Sequence, residues 1–185
     1  MYKDINKNRC NWVNLNNEEY VKYHDNEWCV PCYDDIKIFE NLILEIFQAG
    51  LSYEIILNKR ENFRKAFSNF DYNIIANYTE KDVLRLLEDK SIVRNKKKIL
   101  ACINNAKSYI DIISEYSSFS NYIWGFVDGV VYETSKSSST LSDTISKDLK
   151  NHNFQFIGTV TCYSFLQAIG IVNSHEKRCF KHVDK

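Results

Sequence analysis

The chain has 185 residues, is 44% hydrophobic and 26% charged, and carries a formal net charge of zero; this fits one globular domain, 1–185, and offers no overall basic excess for nucleic acid. Twelve Tyr, eleven Phe and three Trp supply a core, while one Pro and five Gly are too few for a turn-dense strand architecture, so the expected class is all-α. No apolar run reaches the ~18 residues of a membrane span, and Met1–Trp12 lacks the apolar centre of a secretory signal, so the protein is expected in the cytoplasm with its six Cys free, metal-bound or catalytic rather than in disulfides.

In chain order, residues 17–27 predict a short helix with Tyr20, Tyr23, His24 and Glu27 at helical spacing. The single Pro interrupts Cys29–Tyr33, and Asp34 or Asp35 then caps a long helix. Its stretch Leu42-Ile43-Leu44-Glu45-Ile46-Phe47 is apolar on every side, which predicts a central, buried helix. Another helix runs from Tyr53 to Phe67. Thr79-Glu80-Lys81-Asp82 reads as a capping box opening a helix that ends near Asp89. A tight link, Lys90–Asn95, leads into a helix from Lys96 to about Ile113, so the link and its edges hold Arg94, Lys96, Lys97 and Lys98. Ser114–Ser120 reads as loop, Tyr122–Val127 as a short helix, Ser135–Ser139 as a polar loop, Thr140–Lys150 as a helix and Ile157–Val172 as the last helix. The tail, 173–185, is polar but carries His175, Cys179 and His182.

Three groups could carry chemistry. Glu45 stands inside the most apolar run of the chain, where a carboxylate is either a structural partner of a cation or one wall of a pocket. His175-x3-Cys179 can direct two ligands at one ion, with Cys10, His24, Cys29, Cys32, His152 and His182 as candidates for the rest. On local spacing Cys29-x2-Cys32 is the natural zinc clip or a thiol redox pair. The aromatics Trp12, Tyr20, Tyr23 and Trp28 suit either a core or stacking on a nucleobase.

Read together in order, Cys10-Asn11-Trp12-Val13, Tyr20-x-x-Tyr23-His24-Asp25-Asn26-Glu27-Trp28, Glu45-x-x-Gln48-Ala49-Gly50-Leu51-Ser52, Lys59-Arg60-Glu61-Asn62-Phe63, Cys162 to Ala168 and His175-x3-Cys179 resemble the bacterial 3-methyladenine DNA glycosylase I family of the helix-hairpin-helix superfamily. The resemblance spans about Cys10 to Cys179. It implies a helix-hairpin-helix near 80–113 and a structural zinc joining the two termini through Cys10, His24, His175 and Cys179, leaving Cys29 and Cys32 outside. It implies Glu45 as the catalytic-site carboxylate, with Trp12, Tyr20, Tyr23 and Tyr53 around the base. It also implies Gly50 and Leu51 as the plug in the DNA stack, and Arg94, Lys96 and Lys97 against the backbone. Tyr53 stands where the family usually has Trp, Cys29 where it has Gly, and Ser91 and Lys97 where the hairpin has Gly. The implied activity is hydrolytic, lyase-free removal of 3-methyladenine from double-stranded DNA by a monomer that does not engage a membrane.

Overall fold

The computed structural model describes residues 7–184; the first six residues of the N-terminal segment judged not to be a signal, and the last residue of the single expected domain, lie outside the described residues. The architecture follows from one helix. Asp34 caps α2 (Asp35–Gln48) by accepting from the backbone N–H groups of Ile36 and Lys37, and every residue from Ile38 to Phe47 is buried. A helix buried all round needs neighbours on every side. They are α3 (Tyr53–Ala66), α6 (Lys96–Tyr116), α7 (Phe119–Trp124) and α9 (Thr159–Ala168). Phe39, Phe47, Phe63, Phe67, Tyr109 and Phe119 are sealed within this core, each such ring contributing about 1.5–3 kcal/mol. Among the described residues no helix is long and apolar enough to cross a membrane.

Around the centre stand α1 (Glu18–Asn26), a short α4 (Tyr72–Ile75), α5 (Glu80–Glu88) and α8 (Thr140–Asn151), with a single 3-10 turn at Ser68–Phe70. The capping box at the start of α5 is present: Asp82 accepts from the Thr79 backbone at 2.9 Å. Helices α5 and α6 meet through the turn 89–95. Asn95 caps α6 by accepting from Lys98 N, and Lys59 Nζ holds the Ser91 carbonyl at 2.9 Å. Neither Ser91 nor Lys97 has a positive φ, so the hairpin closes without glycine.

The all-α expectation is corrected by a small parallel sheet, β1 (Val131–Tyr132) beside β2 (Val172–Asn173). Two residues per strand are too few to show an alternating pattern in sequence. The last helix also stops earlier than expected. Gly170 has φ +77°, and a Cβ there would sit 2.3 Å from the Val30 carbonyl carbon, so the chain turns into β2. The loop expected over Ser114–Ser120 is mostly helical, because α6 continues to Tyr116 and ends at Ser117 with φ +69°. Ser118 then caps α7 by accepting from Asn121 N, so this helix starts and ends before the expected Tyr122–Val127.

Candidate functional site

A cavity of about 760 Å³ opens between α1, the start of α3, the face of α2 that carries Glu45, and α9. Helical spacing on α1 brings Tyr20 and Tyr23 to its wall while His24 turns away from it. Tyr53, at the first turn of α3, sits against Tyr23 with ring centroids 4.9 Å apart, and Trp12 packs edge-on against Trp28 at 4.8 Å. Ser164 and Gln167 of α9 and Ser174 beyond β2 complete a polar side. The sequence reading missed these last three, since nothing in their neighbourhood separates a pocket hydroxyl or amide from an ordinary helix surface.

Glu45 forms the acidic wall. It is 4% exposed, no Lys or Arg among the described residues pairs with it, and burial pushes its carboxyl up to about 8. Burial, with Glu45 close by, also raises the hydroxyls of Tyr23 and Tyr53 above the usual phenol range. The wall is therefore a neutral carboxyl next to neutral phenols, an arrangement that gains strongly from a cation and can donate or accept hydrogen bonds at the edge of a flat ring.

Behind the aromatic wall, Cys10, His24, His175 and Cys179 converge, all buried, with their ligand atoms within 4.8 Å of one another. Cys29 and Cys32 are outside this group; Cys29 Sγ instead accepts from Ser174 N at 3.4 Å. Cys29 has φ +60°, the backbone state that favours the Gly its position is expected to hold. The sulfur–nitrogen separations in the group are 3.5, 3.5 and 3.6 Å. A tetrahedral zinc with Zn–S and Zn–N bonds of about 2.3 and 2.05 Å requires roughly 3.5 Å between such ligands. Burial lowers His24 and brings His175 down to about 4, keeping both imidazoles neutral as ligands must be, and it pushes the Cys10 thiol up to about 12. His24 Nδ1 lies 2.8 Å from Asp25 Oδ1, and Asp25 is gripped by Arg9 at 2.6 Å, an outer partner that fixes the ring. The four side chains are thus spaced so that they could hold a metal ion.

The turn before α6 presents exposed Arg94, Lys96 and Lys97. Lys98, indistinguishable from them in sequence, is buried and donates to the carbonyls of Phe47 and Ala49 at 3.0 and 2.7 Å. It ties the hairpin to the end of α2, where Gly50, with φ +87°, carries the chain to a half-exposed Leu51. Lys98 thus links the basic turn to the end of α2, and Gln48 there both lines the cavity and donates to the Leu51 carbonyl.

These features define a helical protein with an aromatic-walled cavity that carries a buried carboxyl, and with a Cys/His group able to hold a metal. Over residues 12–182 the sequence matches the methyladenine glycosylase family, and the chain belongs to it. It is 44% identical over 178 residues to DNA-3-methyladenine glycosylase 1 of Escherichia coli K12, covering 92% of this chain and 95% of that protein. A crystal structure of a 3-methyladenine DNA glycosylase I superposes with a TM-score of 0.91 at 43% identity, covering 95% of this chain and all of the other. A second such structure, a Tyr-to-Phe variant in complex with 3-methyladenine, gives 0.86 at 35% identity over 89% of this chain and 92% of its own.

Proposed function

We propose that the protein is a monofunctional DNA glycosylase that flips 3-methyladenine out of alkylated double-stranded DNA and hydrolyses its N-glycosidic bond. The observation that carries this reading is Glu45, a buried, unpaired carboxyl held near 8 at the wall of an aromatic pocket. Methylation at N3 makes the base cationic while it is still attached to the sugar. The bond between N9 and C1′ is then already weak, because its electrons leave with a base that departs neutral. Water adds to C1′ and loses its proton to solvent. The protein's main tasks are extrusion, at a cost of a few kcal/mol, and recognition.

Glu45 supplies the discrimination. A cationic base entering the pocket lowers the carboxyl's hold on its proton, which passes to solvent, and the carboxylate left behind neutralises the base's charge, whereas neutral adenine leaves either a protonated Glu45 or an uncompensated buried charge. Tyr20, Tyr23, Tyr53 and Trp12 sandwich and orient the ring, with stacking worth about 1–3 kcal/mol. Leu51, presented by Gly50, fills the gap left in the duplex. The start of α6, with Arg94, Lys96 and Lys97, holds a phosphate through backbone N–H groups and nearby cations, as a helix-hairpin-helix does. Residues 1–185 act as one glycosylase domain, and a monomer suffices for the reaction.

The Cys10–His24–His175–Cys179 group is read as a structural zinc site, closed by four protein ligands. Zinc bound there would neutralise the two cysteine sulfurs as thiolates and would tie the N-terminal segment to the C-terminal one. Three aromatic contacts support its bearing on the pocket: Trp28 lies edge-on to His175 at 4.7 Å, and Trp12 reaches His24 at 5.4 Å and Trp28 at 4.8 Å.

The deciding experiment is release of free base from methylated duplex DNA, with Glu45→Gln beside the parent. The parent should liberate 3-methyladenine without strand cleavage. Glu45→Gln should lower the single-turnover rate by about 10²–10³-fold, the size expected for one electrostatic group. A parent protein that releases no 3-methyladenine, or a Glu45→Gln variant with an unchanged rate, overturns the reading.

A further inference from the structure

The cavity has a feature its chemistry inside does not use: its rim is basic. Lys136, Lys177 and Arg178 all border the opening, although the whole chain carries no net charge. They come from two unconnected segments. Lys136 follows β1, directly after Ser135, which is held at φ +60°. Lys177 and Arg178 lie inside the loop between His175 and Cys179, so the loop that contributes two members of the Cys/His group is the same loop that meets the pocket mouth.

That loop is fixed rather than trailing. Cys179 N donates to Glu176 O at 2.7 Å, Glu176 Oε1 accepts from Asn11 N at 2.9 Å, and Glu176 N donates to Cys10 Sγ at 3.4 Å. Lys177 has no carboxylate partner among the described residues and stands between two hollows, bordering both the main cavity and a neighbouring one of about 490 Å³. The other two cations are paired yet remain more than half exposed. Lys136 Nζ meets Glu133 at 3.0 Å with its side chain 51% exposed, and Arg178 Nε meets Glu176 at 3.5 Å with 59% exposed.

We propose that Lys136, Lys177 and Arg178 form a second phosphate clamp, which grips the DNA backbone at the flipped nucleotide from the side of the pocket opposite the α6 hairpin. The assignment rests on the glycosylase reading, which puts a nucleotide in the cavity. A nucleotide rotated into the cavity leaves its own phosphates at the mouth. Gln48, whose Nε2 donates to the Leu51 carbonyl at 2.9 Å, and the basic loop both border the cavity. The hairpin then holds the duplex, and the clamp holds the displaced strand. A rigid Cys/His-anchored loop is suited to this, because cations placed before binding lose little freedom when the phosphate arrives.

The test is the salt dependence of binding to a labelled undamaged duplex and to the same duplex with one abasic site, measured by anisotropy over a KCl series. The parent is compared with Lys177→Ala/Arg178→Ala, Lys136→Ala and Lys96→Ala/Lys97→Ala. Each lost phosphate contact should flatten the plot of log Kd against log salt by about 1. The first variant should lose about 1–2 from the slope and Lys136→Ala about 1. The loss of affinity should be larger on the abasic duplex, because the clamp acts on the extruded nucleotide. Metal content per chain, read alongside, should match the parent. If the double loop variant lost metal, Lys136→Ala and Lys177→Gln would carry the test, since neither touches the Cys/His group. Unchanged slopes in both rim variants, with a flattened slope in Lys96→Ala/Lys97→Ala, would overturn the clamp. The measurement needs no catalysis, so failure of base release would remove the glycosylase reading without altering this result.

Discussion

Helix α2 buries two glutamates on successive turns, and the protein treats them in opposite ways. Glu40 is 5% exposed and is met by Arg60 at 2.5 Å and Arg64 at 2.8 Å; Arg60 reaches on to Glu27 at 2.6 Å. Glu45 is 4% exposed, has no cation, and is pushed up to about 8 by burial. Burying a carboxylate is costly unless it is paired. The chain supplies two guanidinium groups at one end of the helix and none at the other. The difference separates a carboxylate that binds α2 to α3 from one left without a cation at the cavity wall, as the proposed recognition of a cationic base requires.

The two ends also differ in what holds them. Ion pairs lock the Glu40 end, whereas the Cys/His group lies behind the pocket at the Glu45 end. The largest effect should therefore come from Cys179→Ser. Metal content should fall from one per chain toward zero, and stability should drop by about 5 kcal/mol or more, roughly 10–20 °C in Tm. Cys32→Ser should change neither by much. Metal retained in the first variant and lost in the second would move the ligand set to the Cys29–Cys32 pair.

Glu40→Gln comes next. It leaves Arg60 and Arg64 facing an amide and should cost about 3–5 kcal/mol in thermal or denaturant unfolding at neutral pH. Glu45→Gln should do the reverse. The folded protein holds the Glu45 proton up to about pH 8, while the unfolded chain releases it near 4.3. The group's contribution to stability is thus intact below about pH 4.3 and is lost progressively as the pH rises through 8. Glu45→Gln removes that loss. It should match the parent near pH 4 and exceed it at pH 8.5 by about 4–5 kcal/mol. A variant less stable than the parent at pH 8.5 would mean that Glu45 has a structural partner, and the contrast with Glu40 would collapse.

Much of the scaffold was legible because its signals are local. Asn17, Asp34 and the Thr79–Asp82 box cap the helices that they were expected to start, and Asn95 caps the helix expected to open at Lys96. Glu45 stood out because a charge interrupts an unbroken apolar run. What escaped depends on contacts between distant segments. Glu40 looks as anomalous as Glu45 only once α2 is known to be buried at both ends, and its Arg partners come from α3. Lys98 belongs to a basic run, yet the end of α2 captures it. Gly170 ends α9 because the Val30 backbone presses on it from across the fold. The Cys/His group joins segments far apart in the chain, so spacing alone favoured Cys29 and Cys32, which lie outside it, and only the family resemblance pointed to the four residues that the fold brings together.

The smallest expected effect concerns Leu51, which inverts the logic of Glu45. One is a polar group kept buried; the other is an apolar group kept exposed, at 37%. Its turn is rigid: Leu51 N donates to Gln48 O at 2.7 Å, Gln48 Nε2 returns to Leu51 O at 2.9 Å, and Lys98 holds the Ala49 carbonyl at 2.7 Å. Such bracing is unnecessary for a side chain that contributes little to the core, but it suits the proposed role of a wedge entering a base stack. Leu51→Ala should therefore leave unfolding within about 0.5 kcal/mol of the parent. It should slow base release by about 5–10-fold, or 1–1.4 kcal/mol in the barrier, with a larger effect at a paired alkylated base than at a mismatched one, where less unstacking is needed. Equal slowing on both substrates would locate Leu51's contribution in binding rather than extrusion, while a stability loss above about 1 kcal/mol would return it to the core.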